Sequence, residues 1–185
     1  MTYWKIIIHG RAGEGAKSAV HLIAESAMDE GKHMQAFPEY GAERGGAPMK
    51  AFARISDEPI KNHQPIQNPN VIIVINDTLL EYVQAESKEE CILIINTIKT
   101  PDEIKEITGF KGKIHVVDAT SIALEHIKAN KPNTVLLGSF IKLTGALNME
   151  TMEERIKHLF LNKLGEEKTN ANLTALHEGA DKVSA

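Results

Sequence analysis

Four short runs, Ile6 to Ile8, Val71 to Ile75, Ile92 to Ile95 and Ile114 to Val117, are rich in β-branched residues and almost free of polar positions. A strand with one face in water alternates apolar and polar side chains, so such runs need cover on both faces, the condition of a parallel sheet between helices. The intervening segments supply that cover. Ala16, Val20, Ile23, Ala24 and Ala27 share one face of a helix from about Lys17 to Glu30, stopped by Gly31. A second helix spans about Pro101 to Thr108 and ends at Gly109. A third spans Ile122 to Ala129, and from Asn133 the chain reads as helical to its end, with breaks at Gly145 and Gly165.

Two shorter strands, about Met34 to Phe37 and Met49 to Ile55, precede the second long run. In the latter, Ala51, Ala53 and Ile55 alternate with Lys50, Phe52 and Arg54, which suits antiparallel pairing. Asp57 to Asn70 carries three prolines and reads as an irregular crossing. The expected fold is α/β: a three-layer α/β/α arrangement with a mostly parallel, mixed central sheet and a helical C-terminal third, forming one domain over residues 1–185. Leu173, Leu176, Ala180 and Val183 make a narrow apolar stripe in the last helix, which packs on its own domain or, alternatively, on a partner chain.

The first strand runs directly into His9-Gly10-Arg11-Ala12-Gly13-Glu14-Gly15-Ala16-Lys17-Ser18. A buried strand, a three-glycine turn and a helix N-terminus together form the geometry of an anion-binding loop, because the backbone N–H groups can approach a phosphate closely. The spacing matches neither the dinucleotide fingerprint nor the Walker loop. The same glycines also serve where the backbone merely turns with positive φ, so close strand–helix packing is the alternative reading.

A second dense loop, Phe37 to Pro48, holds Glu39, Tyr40, Glu43, Arg44 and Gly45 among its residues. Arg44 can take a carboxylate or phosphate in bidentate fashion, with Tyr40 offering a flat surface. Alternatively Arg44 pairs internally with Glu39 or Glu43. Polar residues also cluster past the strand ends: His9 and Arg11, Asn76 and Asp77, Asn96 and Thr97, Asp118 and Thr120. In an open parallel sheet that edge lines the ligand crevice. Asp77, Thr100, Asp118 and Thr120 also stand where helix N-caps belong, and capping is the preferred role for each.

A formal net charge of −4 with dispersed Lys and Arg gives no footprint for nucleic acid or an anionic membrane. With no basic leader and no apolar run near the roughly 18 residues of a membrane span, a soluble cytoplasmic protein is expected. The single cysteine, Cys91, lies in an apolar run and reads as a buried hydrophobe. One thiol cannot hold an ordinary iron–sulfur cluster. Eight histidines without a His-x-x-x-His pair or a Cys/His cluster point away from a metal site, and His9 alone merits a test. No Gly-x-Ser-x-Gly elbow is present, which disfavours an independent hydrolase.

His9 to Gly15 and Gln35 to Pro48, with Phe52-Ala53-Arg54-Ile55, Val117-Asp118-Ala119-Thr120, Pro132-Asn133-Thr134, Leu137-Gly138 and Asn172, resemble the gamma subunits of the 2-oxoacid:acceptor oxidoreductase family over almost the whole chain. The form of the Phe37 to Arg44 loop resembles the pyruvate:ferredoxin oxidoreductase branch, with 2-oxoglutarate or 2-oxoisovalerate enzymes as alternatives. Family members usually show Gly-Gly-Gln-Gly where this chain has Ala12-Gly13-Glu14-Gly15. The carboxylate of Glu14 opposes a phosphate there unless Arg11 or Lys17 offsets it.

The resemblance implies coenzyme A-dependent oxidative decarboxylation of pyruvate to acetyl-CoA and CO2, or the reverse. The complex would hold alpha, beta and delta subunits and pass electrons to ferredoxin or flavodoxin. Thiamine diphosphate, Mg²⁺ and iron–sulfur clusters would sit in the partner subunits, with coenzyme A as co-substrate and no cofactor bound by this chain alone. Gly10, Arg11, Gly13, Glu14, Gly15 and Lys17, with Glu39, Tyr40, Glu43, Arg44 and Gly45, would face substrate, coenzyme A or partner subunits. No catalytic residue is assigned. The competing expectations are a free nucleotide- or coenzyme A-binding module and a purely structural subunit.

Overall fold

The computed structural model describes residues 3–39, 46–83, 86 and 88–184. Among these residues six strands form one sheet: β1 (Tyr3–Arg11), β2 (His33–Glu39), β3 (Pro48–Ser56), β4 (Val71–Val74), β5 (Ile92–Asn96) and β6 (Lys113–Val117). Their order across the sheet is β2-β3-β1-β4-β5-β6. β1, β4, β5 and β6 are mutually parallel, while β3 runs antiparallel to both β1 and β2. The expected mixed sheet is therefore present, with its antiparallel part confined to one side.

Among the described residues six α-helices accompany the strands: α1 (Ala16–Asp29), α2 (Pro101–Thr108), α3 (Ala119–His126), α4 (Asn133–Thr144), α5 (Met149–Leu164) and α6 (Glu166–Lys182). A 3-10 helix, Asp77–Tyr82, follows β4. None of the described helices is long and apolar enough to cross a membrane. The unbroken strand runs divide their side chains between two faces by the two-residue period. Ile6, Ile8, Val71, Ile73 and Ile94 face the large core made with α1, α4, α5 and α6. Ile72, Val74, Leu93 and Ile95 face Leu79, Leu80, Ile104 and Phe110 of the 3-10 helix, α2 and the turn after it. Ile7 and Phe52 pack with Ile66 and Phe37 beneath the irregular 57–70 crossing.

Arg54 on β3 is 1% exposed and anchors that crossing. Its guanidinium donates to Gln35 Oε1 at 2.9 Å and to the Gln64 carbonyl, and lies 5.7 Å over the Phe37 ring. Arg54, which alternates with the alanines of β3, is thus a buried strut.

The helix ends follow local chemistry. α2 opens on a reciprocal capping box between Thr100 and Glu103 and stops at Gly109, whose φ is 62°. Asp118 caps α3 by accepting from Ser121 N–H at 3.0 Å. The capping expectation fails for the other two residues. Asn76, not Asp77, caps the 3-10 helix by accepting from Thr78 N–H at 3.1 Å, because Asp77 already lies inside the helix, where it pairs with Lys99 at 2.8 Å. Thr120 lies inside α3 and its hydroxyl accepts from Asn96 Nδ2 at 2.9 Å.

The apolar stripe of α6 folds back on its own chain. Leu176 and Ala180 are buried and Leu173 and Val183 lie against the same core. α4 and α6 meet at two glycines, where a Cβ on Gly138 would stand 1.8 Å from the Leu176 carbonyl oxygen and one on Gly179 would stand 2.1 Å from that of Val135. Ser139 Oγ closes the crossing with a 2.7 Å bond to the Gly179 carbonyl.

Candidate functional site

All four parallel strands end at the same crest, and β1 passes there into the glycine turn. Gly13 and Gly15 take φ of 99° and 95°, a region that L side chains rarely adopt. Gly15 is doubly constrained, since its missing Cβ would lie 2.7 Å from the side chain of Asn133. As the N-cap of α1 it offers no side chain to the first-turn amides, leaving those donors for an external acceptor.

Glu14 turns inward. One carboxylate oxygen accepts from Arg11 N–H at 2.6 Å and the other from Asn76 Nδ2 at 2.6 Å. The side chain therefore occupies one backbone donor and one side-chain amide that an anion would otherwise use. Arg11 does not offset a bound anion: its guanidinium donates to Thr78 Oγ1 at 2.8 Å and to the Gly46 carbonyl at 3.1 Å. Lys17 projects exposed from the first turn of α1.

The turn consequently separates two cavities of opposite character. On the strand side lies a cleft of about 340 Å³, lined by Glu14, Asn76, Asp77, Asn96, Asp118 and Thr120 among others. Its polar groups largely satisfy one another: Asn96 bonds the Ile75 carbonyl and Thr120, and Thr97 and Lys99 hold Asp77. Three carboxylates against one ammonium make this cleft hostile to phosphate.

On the other side lies a cavity of about 570 Å³, where Gly13, Gly15 and Ser18 meet Lys128, Lys131 and Lys168 above Phe160 and Leu164. Lys131 Nζ donates to the Gly13 carbonyl at 2.6 Å. Asn133, 7% exposed, lines the same cavity and makes no side-chain hydrogen bond among the described residues. Its amide reaches the cavity, where a ligand oxygen would meet a hydrogen-bond donor.

A third, smaller cavity of about 220 Å³ is lined by His9, Glu39, Pro48, Met49, Lys50, Leu79 and Tyr82. His9, 2% exposed, meets Glu86 Oε2 through Nε2 at 2.7 Å, and Lys50 Nζ meets Glu86 Oε1 at 2.6 Å. Burial pushes the Glu86 carboxyl up, but the hydrogen bonds and charges of His9 and Lys50 outweigh it and hold the group below the ordinary carboxylate range. The Tyr82 ring lies nearly parallel to that of His9, 6.4 Å away between centroids.

Sequence reasoning brought together Gly10, Arg11, Gly13, Glu14, Gly15 and Lys17 as one turn, and the structure places them so. Glu39 ends β2 at the same crest. Tyr40, Glu43, Arg44 and Gly45 lie outside the described residues. Asn133, Lys128, Lys131, Lys168, Glu86 and Lys50 were missed as site residues. They reach the crest from distant elements, and only Pro132-Asn133-Thr134 carried any local signal. The loops are tied together, since Arg11 pairs with Pro48 in the β1–β3 register and Ala12 N–H donates to the Ala47 carbonyl at 3.0 Å.

Comparison with known proteins gives this arrangement a context. The family model described as pyruvate ferredoxin/flavodoxin oxidoreductase matches residues 5–182. The pyruvate synthase subunit PorC of Thermotoga maritima is 49% identical over 182 residues, covering 98% of this chain and 95% of that protein. The common gamma subunit of the pyruvate/ketoisovalerate oxidoreductases of Pyrococcus furiosus is 42% identical over 170 residues, covering 90% and 92%. The crystal structure of the Thermotoga maritima pyruvate oxidoreductase subunit PORC superposes with a TM-score of 0.90 at 46% identity, covering 100% of this chain and 98% of that one. The chain therefore belongs to the pyruvate ferredoxin/flavodoxin oxidoreductase family.

Proposed function

We infer that this chain is the gamma subunit of a pyruvate oxidoreductase, working within a multi-subunit complex that couples pyruvate and coenzyme A to acetyl-CoA and CO2. Its glycine turn presents the basic face to the phosphates of coenzyme A, and the 37–48 loop, with Arg44, faces the carboxylate of the 2-oxoacid or a partner subunit. The observation that carries this reading is the division of the turn. Glu14 closes the strand side to anions, while the other side joins free first-turn amides, three lysines and the unpartnered Asn133. Lys17 adds charge at its margin.

The chain's own donors do not fit an iron–sulfur cluster. Burial, helped by the charge of Glu86, pushes the Cys91 thiol up to about 12, and no second thiol exists to join it. Electron transfer to ferredoxin or flavodoxin accordingly belongs to the alpha, beta and delta partners, where the resemblance also puts thiamine diphosphate and Mg²⁺. The Pyrococcus furiosus relative is named as common to pyruvate and ketoisovalerate oxidoreductases. That name supports a second reading in which the partner subunits, rather than the gamma chain, select the 2-oxoacid.

The test is pyruvate- and coenzyme A-dependent reduction of a viologen dye by the reconstituted complex. Lys168→Ala should raise KM for coenzyme A roughly fivefold, the loss of about 1 kcal/mol for an exposed charged contact, with KM for pyruvate unchanged. Arg44→Ala should raise KM for the anionic 2-oxoacid. Both variants assembling normally with unaltered kinetics would refute the placement.

A further inference from the structure

Away from the crest, α3 and α6 bring Glu125, His126 and Glu178 together, with one ligand atom of each lying within 4.8 Å of the others. We propose that these three side chains form a binding site for a divalent transition-metal ion of the zinc class. His126 Nε2 already faces Glu178 Oε2 in a short contact, and Lys182 Nζ holds the other oxygen, Oε1. This division matters, because a ligating carboxylate is commonly oriented by a hydrogen bond to its second oxygen. Lys182 can therefore remain in place while Oε2 turns to a metal.

The charges favour a cation. Two carboxylates converge on one ammonium, Lys182, which is drawn to both Glu178 and Glu125, so the cluster retains a net negative charge when His126 is neutral. Glu125 and His126 also end α3, where the helix carbonyls add negative partial charge. Tetrahedral zinc with N and O ligands near 2.0–2.2 Å needs donor atoms about 3.3–3.5 Å apart. The three ligand atoms already lie within 4.8 Å of one another, so Glu125 must swing in while the His126–Glu178 contact opens to the tetrahedral spacing, on helices that already pack together. Three protein ligands leave a fourth position to water. The histidine spacings in the sequence do not show this site, since its ligands come from two helices 52 residues apart at the His126–Glu178 contact.

The probes are Co²⁺ and Zn²⁺ added to the purified, untagged full-length chain. Co²⁺ should bind one equivalent saturably with a visible absorption band, Zn²⁺ should displace it, and Zn²⁺ should raise Tm. His126→Ala and Glu125→Gln should each weaken binding at least tenfold, while His177→Ala, which removes a histidine paired elsewhere with Glu153, should leave it unchanged. Glu125 is exposed, so its variant reports on binding even if His126→Ala disturbs the fold. Absence of saturable binding below 1 mM, or binding that Glu125→Gln and His126→Ala leave intact, overturns the proposal.

Discussion

Replacing Gly179 by alanine tests the packing that fixes the C-terminal helix. A Cβ at this position would stand 2.1 Å from the Val135 carbonyl oxygen and 2.8 Å from Val135 Cγ1. Ordinary contact begins near 3.4 Å, so α6 must retreat by about 1 Å or more, and the obstacle is backbone rather than a rotatable side chain. Overpacking of this kind costs about 1–3 kcal/mol. The retreat also stretches the buried 2.7 Å bond from Ser139 Oγ to the Gly179 carbonyl, adding about 1–3 kcal/mol. Against these stands the gain of about 1 kcal/mol from alanine over glycine in a helix. The expected net loss is about 3 kcal/mol, read as a lower denaturation midpoint at unchanged m-value and a Tm lower by about 6–12 °C. Ser139→Ala should lose only the hydrogen-bond share. A Gly179→Ala protein as stable as the parent, or more so, would show that helix propensity governs and that α4 and α6 do not cross at glycine contact.

Cys91, with its thiol raised to about 12, should resist Ellman's reagent at pH 8 in the folded protein and react fully in denaturant; rapid native labelling would contradict its burial. Glu86 should stabilise the fold at neutral pH, above the unfolded carboxylate value of about 4.3, and lose that contribution as pH falls through its depressed folded value. Glu86→Gln should therefore cost on the order of 1–3 kcal/mol at pH 7, with the difference shrinking in acid; pH-scanned denaturation curves that stay parallel would refute the pairing. Arg54→Ala should cost about 2–4 kcal/mol and expose the 57–70 crossing to limited proteolysis, whereas an unchanged cleavage pattern would remove the strut role.

The strands and the first two helices were legible because they rest on local pattern, whereas the strand order was not, and the third helix begins at Ala119 rather than Ile122 because Asp118 caps it. The β-branched runs announced buried strands, and glycines at 31, 109, 145 and 165 stopped helices where positive φ was needed. The glycine turn was legible for the same reason. The fate of Glu14 was not: sequence shows an acid beside an anion loop, and only the fold brings Asn76 within 2.6 Å to turn that acid into a clamp. Asn133 carried only the local Pro132-Asn133-Thr134 signal, and its place beside Gly15 in the cavity comes from the fold. Arg54 alternated with alanines like a solvent-facing residue, yet the proline-rich crossing covers it, a tertiary effect invisible to a two-residue period.

The antiparallel register joining Arg11 to Pro48 has an engineering consequence. With Ala12 fastened to Ala47, the two segments proposed to face substrate are joined at their base by one ladder. Grafting one segment from a relative of different substrate preference would wrench the other out of place, so a working chimera must carry both, together with the ladder between them.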